Sequence, residues 1–490
     1  MSKKAVVIGA GFAGLSAAAF MAKSGWNVTV LEKNNTAGGR ARQLKEAGFT
    51  FDMGPSWYWM PDVFERFFNQ FGKKVSDYYL LQRLDPSYRI FWKAHHTDIP
   101  ADYGHLKKLF HSIEPGSGEK LDAYLKEAEL KYRIGMQRLV YKPSQSITEF
   151  LDWDVVKNIF RLDIFTSIKT HIAKHFQNPM LQQVMEFPVL FLGALPENTP
   201  ALYSLMNYAD IKGGTWYPQG GMYAIVDAMQ TLCESLGVQF HFNEEATAIS
   251  IEKGNAQNVV TQKKEYAADV VISGADYHFT ETALLPENYR SYSEKYWDKK
   301  VLAPSCLLYY VGLNKTLNNV QHHNLFFDVP FAPHAHEIYS DPKWPQNPLF
   351  YLNVPSKTDS AVAPPGCENL MFLIPVASGL TEDSEALREH YFKIVVKRLE
   401  QHTGEPVADS IVYKKTYSVS NFMQDYHSYK GNAYGLANTL KQTAILKPSC
   451  RSKRVSNLFY TGQLTVPGPG VPPSLISGEV VAGDVLKLFN

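Results

Sequence analysis

The sequence predicts a mixed α/β (α+β) chain of three parts: a parallel sheet with helices on both faces, a second mixed or antiparallel sheet, and an inserted helical unit. Three observations carry this. Residues 4–31 read strand, tight turn, helix, strand, the start of a parallel βαβ unit. Aromatic runs between 301 and 376 alternate as strands of an antiparallel sheet do. Between these regions, 105–210 has helical spacing and lacks Val-rich strands.

The elements follow in order. Residues 5–8 are a short buried strand, 9–14 a glycine turn, and 15–23 a helix with small residues Ser16, Ala17, Ala18 and Ala19 on one side. Gly25 stops it, and 28–31 is the second strand. Residues 121–139 carry apolar side chains at helical spacing. Residues 160–176 mix Phe, Ile and Leu with Arg161, Lys169, His171, Lys174 and His175. The segment 185–195 is nearly all apolar, and Pro188 is expected to break it. Strands return at 238–243, 246–252, 270–273, 306–311, 349–354 and 370–375, with Pro-rich 331–365 partly looped. Residues 385–403 form a helix, 457–461 a strand, and a last helix starts near Ser474.

The chain has 490 residues, enough for about three structural units. Lys and Arg number 49 against 48 Asp and Glu, so a basic, nucleic-acid-binding domain is not expected. Cys233, Cys306, Cys367 and Cys450 form no CxxC pair and no disulfide framework, which suits a reducing, cytoplasmic compartment. No stretch approaches 18 uncharged apolar residues, so no spanning helix is expected. The aromatic content is high, with 8 Trp, 28 Tyr and 28 Phe, and suits a large apolar cavity, a greasy surface or simply a large core.

Gly9, Gly11 and Gly14 fall between the first strand and helix. Gly9 permits the turn, Gly11 lets backbone N–H groups of the Phe12–Ala13 segment approach a pyrophosphate, and Gly14 lets the helix pack on the strand. The pyrophosphate would then lie at the positive end of a helix. Glu32 ends the second strand, where a carboxylate can bind ribose hydroxyls and repel a 2′-phosphate; Lys33 follows it. Gly38, Gly39, Arg40 and Arg42 come next, with glycine backbone near the cofactor and cations for phosphate. Gly54, Pro55 and Ser56 form a second tight turn. Near the other end, Gly462 closes a strand, and Gly470, Val471 and Pro472 lead into the last helix. The positive end of that helix would face the bound cofactor and favour negative charge on it.

The stretch through residue 56 resembles the FAD-binding N-terminus of the flavin amine-oxidase superfamily. Over essentially the whole chain, the likeness is to bacterial phytoene-desaturase-type carotenoid desaturases. It rests on residues 6–42, 51–56, 214–228, 270–276 and 461–478. Gln463 and Leu464 depart from the small residues common in relatives. The resemblance implies FAD, a Rossmann-like FAD-binding domain (1–80, 214–295, 445–490), a mixed-sheet substrate domain (81–104, 296–444) and a helical, membrane-facing lid (105–213). It also implies peripheral membrane attachment and hydride removal from a long isoprenoid chain.

The site expectations follow from that reading. The flavin takes a hydride at N5 from a carotenoid, and oxygen or a quinone reoxidises it. Asp163, beside Arg161, is a candidate base. Trp57, Tyr58 and Trp59 after the Gly54–Pro55 turn, with Phe191 and Trp216, are candidate tunnel walls, or equally core. His322, His323, His334 and His336 are read as solvated loop residues, and no metal site is expected. The resemblance leans to 3,4-desaturation of a 1′-hydroxylated γ-carotene-type carotenoid over desaturation of phytoene. A carotenoid isomerase, an amine oxidase and a non-redox prenyl-protein binder of the GDP-dissociation-inhibitor type remain open.

Overall fold

The computed structural model describes residues 2–150, 163, 165–190, 193–439 and 441–489. Its first sheet has five strands in the order Leu458–Tyr460, Val270–Ser273, Lys4–Ile8, Asn27–Glu32, Gln239–Phe242. Every neighbouring pair is parallel. Strand Lys4–Ile8 lies at the centre, and Val6, Val7 and Ile8 are buried there, as a sheet covered on both faces requires.

Helix Phe12–Lys23 packs against the last helix, Val471–Phe489. The contact is close enough that a Cβ on Gly478 would stand 2.4 Å from the Ala13 carbonyl oxygen. Ser16 Oγ donates to Leu475 O at 2.7 Å across it. The last helix starts three residues before the expected Ser474, because prolines in a first turn lose no helical hydrogen bond.

The second sheet has seven strands, ordered Ile411–Tyr417, Ser305–Leu313, Glu368–Val376, Phe350–Asn353, His323–Phe326, Tyr88–Phe91, His96–Ile99. It is mixed: Tyr88–Phe91 runs parallel to His323–Phe326, and the other pairs are antiparallel. Helix Phe331–Tyr339 occupies part of the stretch expected to loop.

Between the sheets in sequence lie helices Tyr103–Ile113, Ser117–Ile134, Ile168–His175 and Pro179–Leu190. Pro188 does not break the last of these, contrary to expectation. Its neighbours Phe187 and Val189 are buried, and their packing outweighs the lost N–H. Of the expected segment 160–176, residues 160–162 and 164 lie outside the described residues.

Candidate functional site

The N-terminal turn is shaped by contacts only glycine allows. Gly9 has φ +94° and donates to Leu31 O at 2.7 Å. A Cβ on Gly14 would stand 2.0 Å from the Gly9 carbonyl oxygen. Gly11 differs: a Cβ there would meet nothing within 4 Å, because its backbone borders a cavity. Phe12 and Ala13 border it too, at a helix start with no side-chain cap. Those N–H groups are available to an anion.

Glu32 is buried at the end of its strand and lines the same cavity. Its Oε2 accepts from Ala10 N at 2.8 Å, and Oε1 accepts from Asn34 N and Nδ2 at 2.9 and 2.8 Å. Asn34, which the sequence reading passed over, thus fixes the carboxylate and leaves Oε2 a lone pair for a hydroxyl. Lys33 borders the cavity with its amine turned to Gln424 O, 2.9 Å, and His427 Nε2, 3.1 Å.

Gly38 and Gly39 take positive φ in a short turn, and Gly38 N donates to Ala10 O at 2.8 Å. Gly54 must be glycine, because a Cβ would stand 2.3 Å from the Arg40 carbonyl oxygen. Arg40 Nη2 donates to Ser428 Oγ at 2.9 Å, while its Nε is buried and has no partner among the described residues. Burial holds this guanidinium below its ordinary value, against the opposite pull of Asp276. Arg42, by contrast, is tied to Asp425 at 2.5 Å and does not border the cavity.

Gly39, Arg40, Gly54, Pro55 and Ser56 line this cavity, as do Gly462, Gly470, Val471 and Pro472 from the other end of the chain. Gly462 N donates to Ser477 Oγ at 3.0 Å, pinning the last strand to the last helix. The enclosed volume is about 480 Å³.

The cavity continues into an aromatic slot. Trp57, Trp59, Phe187, Leu325 and Phe327 wall it. Trp57 stacks on His323 with centroids 4.0 Å apart and planes 11° from parallel. This corrects the solvated-loop expectation for three of the four histidines; His336 is exposed, although on helix Phe331–Tyr339 and not in a loop. His322, His323 and His334 are all buried, and strand His323–Phe326 places the second of them behind Trp57. His323 Nδ1 lies 2.6 Å from the Tyr351 hydroxyl, and Tyr351 lines the slot. His334 also lines it, and burial pulls its imidazole down to about 4, so the ring is neutral at pH 7. Trp57 and His323 pair across 266 positions, so their contact left no local signal.

Three expected site residues lie elsewhere. Tyr58 points away from the slot, with its hydroxyl 2.9 Å from that of Tyr79 and its ring stacked on Phe64. Trp216 donates from Nε1 to Gly213 O at 2.9 Å and does not line the cavity. Asp163 is bound by Lys131 Nζ at 2.8 Å in the helical unit, away from the cavity walls. A carboxylate neutralised there cannot take a proton from a substrate in the slot. Phe191 lies outside the described residues.

A family model described as flavin containing amine oxidoreductase matches residues 12–486. The chain belongs to this family. It is 43% identical over 483 residues to a carotenoid 3,4-desaturase of Haloarcula japonica, covering 98% of this chain and 97% of that one. It is 30% identical over 487 residues to a zeta-carotene-forming phytoene desaturase of Myxococcus xanthus, covering 98% and 93%. The fold is shared with an oxidoreductase from Methanosarcina mazei, with a TM-score of 0.63 at 16% identity over 99% and 100% of the two chains.

As a member of this family the protein is an oxidoreductase with a flavin cofactor. The residues present fit that group. The Gly11 backbone borders open space, the Phe12 and Ala13 N–H groups are uncapped, and the orphaned Arg40 Nε awaits an acceptor.

Proposed function

We propose that this protein is an FAD-dependent carotenoid desaturase. The observation that carries the reading is one continuous cavity, cradled by glycine backbone at one end and walled by Trp57, Trp59, Phe187 and Phe327 at the other. In it Gly9, Gly11, Phe12 and Ala13 hold the pyrophosphate while Gly14, off the cavity wall, lets the helix close on the strand; Glu32 holds the ribose, and Arg40 adds a cation. Gly54–Ser56 and Gly462, Gly470, Val471 and Pro472 hold the ring end. The size of the glycine cradle and the Glu32 ribose position favour FAD over a smaller flavin.

When bound, the flavin supplies the hydride acceptor. The chain's own work is alignment and exclusion of water. The Trp57 ring, backed by His323, presents a flat face to a conjugated chain, which is held by area at roughly 25 cal/mol per Å². The greater identity to the 3,4-desaturase favours 3,4-desaturation of a carotenoid over desaturation of phytoene, and a 1′-hydroxylated γ-carotene-type carotenoid is the substrate we propose for that step.

No helix among the described residues is long and apolar enough to cross a membrane. Phe165, fully outside the core at 86% exposure, sits in the helical unit with Lys169 and Lys174 and supports docking on a bilayer from the cytoplasm. Oxygen or a quinone is the electron acceptor. Flotation with liposomes at low salt tests the docking, and protein left in the soluble fraction refutes it.

The deciding experiment is anaerobic incubation with a panel of carotenoids and amines. Flavin bleaching with a red-shifted carotenoid product is expected. Bleaching by amines alone would replace this reading with an amine oxidase, and chromatography of the released cofactor distinguishes FAD from FMN.

A further inference from the structure

The helical unit holds a cluster that the flavin site does not use. Helix Ser117–Ile134 carries Glu127, and helix Ile168–His175 carries His171 and His175. Four residues apart, the two histidines share one helix face. One ligand atom from each of the three residues lies within 4.8 Å of the others. None of the three lines the flavin cavity.

His171 is the informative member. It is 4% exposed, yet its Nε2 has no hydrogen-bond partner among the described residues. That nitrogen stands 3.6 Å from Glu127 Oε2. A buried ring nitrogen left unmet is costly, so such groups are normally filled. Its other nitrogen, Nδ1, faces Asp163 Oδ2 at 3.9 Å. At that distance the contact is electrostatic and not a hydrogen bond, and it favours the tautomer with the proton on Nδ1, which leaves Nε2 free to bind.

We infer that Glu127, His171 and His175 form a binding site for one divalent metal ion of the zinc type, with water in the fourth position and Asp163 as the group that orients His171. Two imidazoles and one carboxylate are a donor set that zinc takes in four-coordinate sites. Charge around the cluster is mostly spent. Lys131 is bound to Asp163 at 2.8 Å and Ala201 O at 3.2 Å, and Lys120 to Glu114 at 2.7 Å. Among the described residues, Lys174 is the remaining cation facing the histidines. Metal here ties two helices of the unit together. It also gives Asp163 a role that the cavity geometry denies it as a base.

The test uses the intact flavoprotein, stripped with a chelator and titrated calorimetrically with Zn²⁺. One zinc per chain and a higher melting temperature are expected. Glu127→Gln and His175→Ala should each weaken binding roughly 100-fold or more, and Asp163→Asn by about 10–100-fold with the stoichiometry kept. The flavin absorbance of each variant reports whether it folds. Should a variant lose its flavin, X-ray absorption on the unaltered protein decides, with two imidazoles in the zinc shell expected. No bound zinc, equal affinity in the Glu127→Gln/His175→Ala double variant, or a shell without imidazole would overturn the assignment.

Discussion

The flavin end and the aromatic slot are two halves of one cavity built by opposite means. The cradle is made of backbone. Its glycines are required by contacts such as the 2.0 Å approach of a Gly14 Cβ to Gly9 O, so residue type reports geometry directly. The slot is made of side chains from distant strands, such as Trp57 against His323. A backbone site tolerates almost no substitution, whereas a side-chain wall can be resized. That contrast suits a fold that keeps one cofactor while its relatives act on different substrates.

The contrast can be broken most severely at the cradle. Gly14→Val is expected to abolish flavin retention and cooperative folding, read from cofactor content and thermal melting. A flavin-loaded variant would show that the turn is not held by that contact. Trp57→Ala should cost about 3–5 kcal/mol of stability. It should also slow carotenoid oxidation or move the bond oxidised, with the flavin kept. Identical products at an identical rate would reduce this ring to core filling. Arg40→Lys keeps the charge but not the planar fork, and should lose about 1.5–3 kcal/mol of flavin affinity. Equal affinity by fluorescence titration would remove Arg40 from the cradle.

A smaller effect sits beneath the Gly468 turn. A Cβ there would stand 3.3 Å from Lys447 Nζ, which is buried without a partner among the described residues. Burial pulls this amine from 10.5 down to about 7. The unfolded chain therefore binds a proton between pH 7 and 10.5 that the folded chain does not. Folding stability attributable to Lys447 should rise with pH across that window. Lys447→Met should add about 1–3 kcal/mol at neutral pH and flatten the rise. Parallel melting curves for the two proteins from pH 7 to 10 would contradict this. The smallest effect is expected of Tyr58→Phe, about 0.5–1.5 kcal/mol from the lost bond to Tyr79, with unchanged products. A changed product would return Tyr58 to the slot.

The sequence is most readable where local physics decides. Gly9 to Gly14, the Gly38–Arg40 turn and the Pro472–Pro473 helix start each follow from backbone rules acting within a few residues. Trp57, Tyr58 and Trp59 were read as one wall, but an extended segment sends neighbours to opposite sides. Tyr58 bridges to Trp216 and faces away, while the two tryptophans face in. The period of two was visible in the letters themselves. His323 and Asp163 were misread for a different reason. Their environments are set by Trp57 and Lys131, partners on other elements whose approach only tertiary packing determines.

The docking of Gly478 on Ala13 means that the cradle is completed by residues made more than four hundred positions apart. A chain leaving the ribosome presents Lys4–Ile8 and its glycine turn first. The strand Leu458–Tyr460 and the helix behind it arrive last. At about 5–20 residues per second, the gap is roughly half a minute to a minute and a half. Through that interval no complete cofactor site exists, whatever the flavin concentration. Loading therefore waits for the later helix, and the bound cofactor staples two stretches distant in sequence together. A cell short of flavin would accumulate polypeptide in which these two stretches are unfastened, rather than stalled fragments.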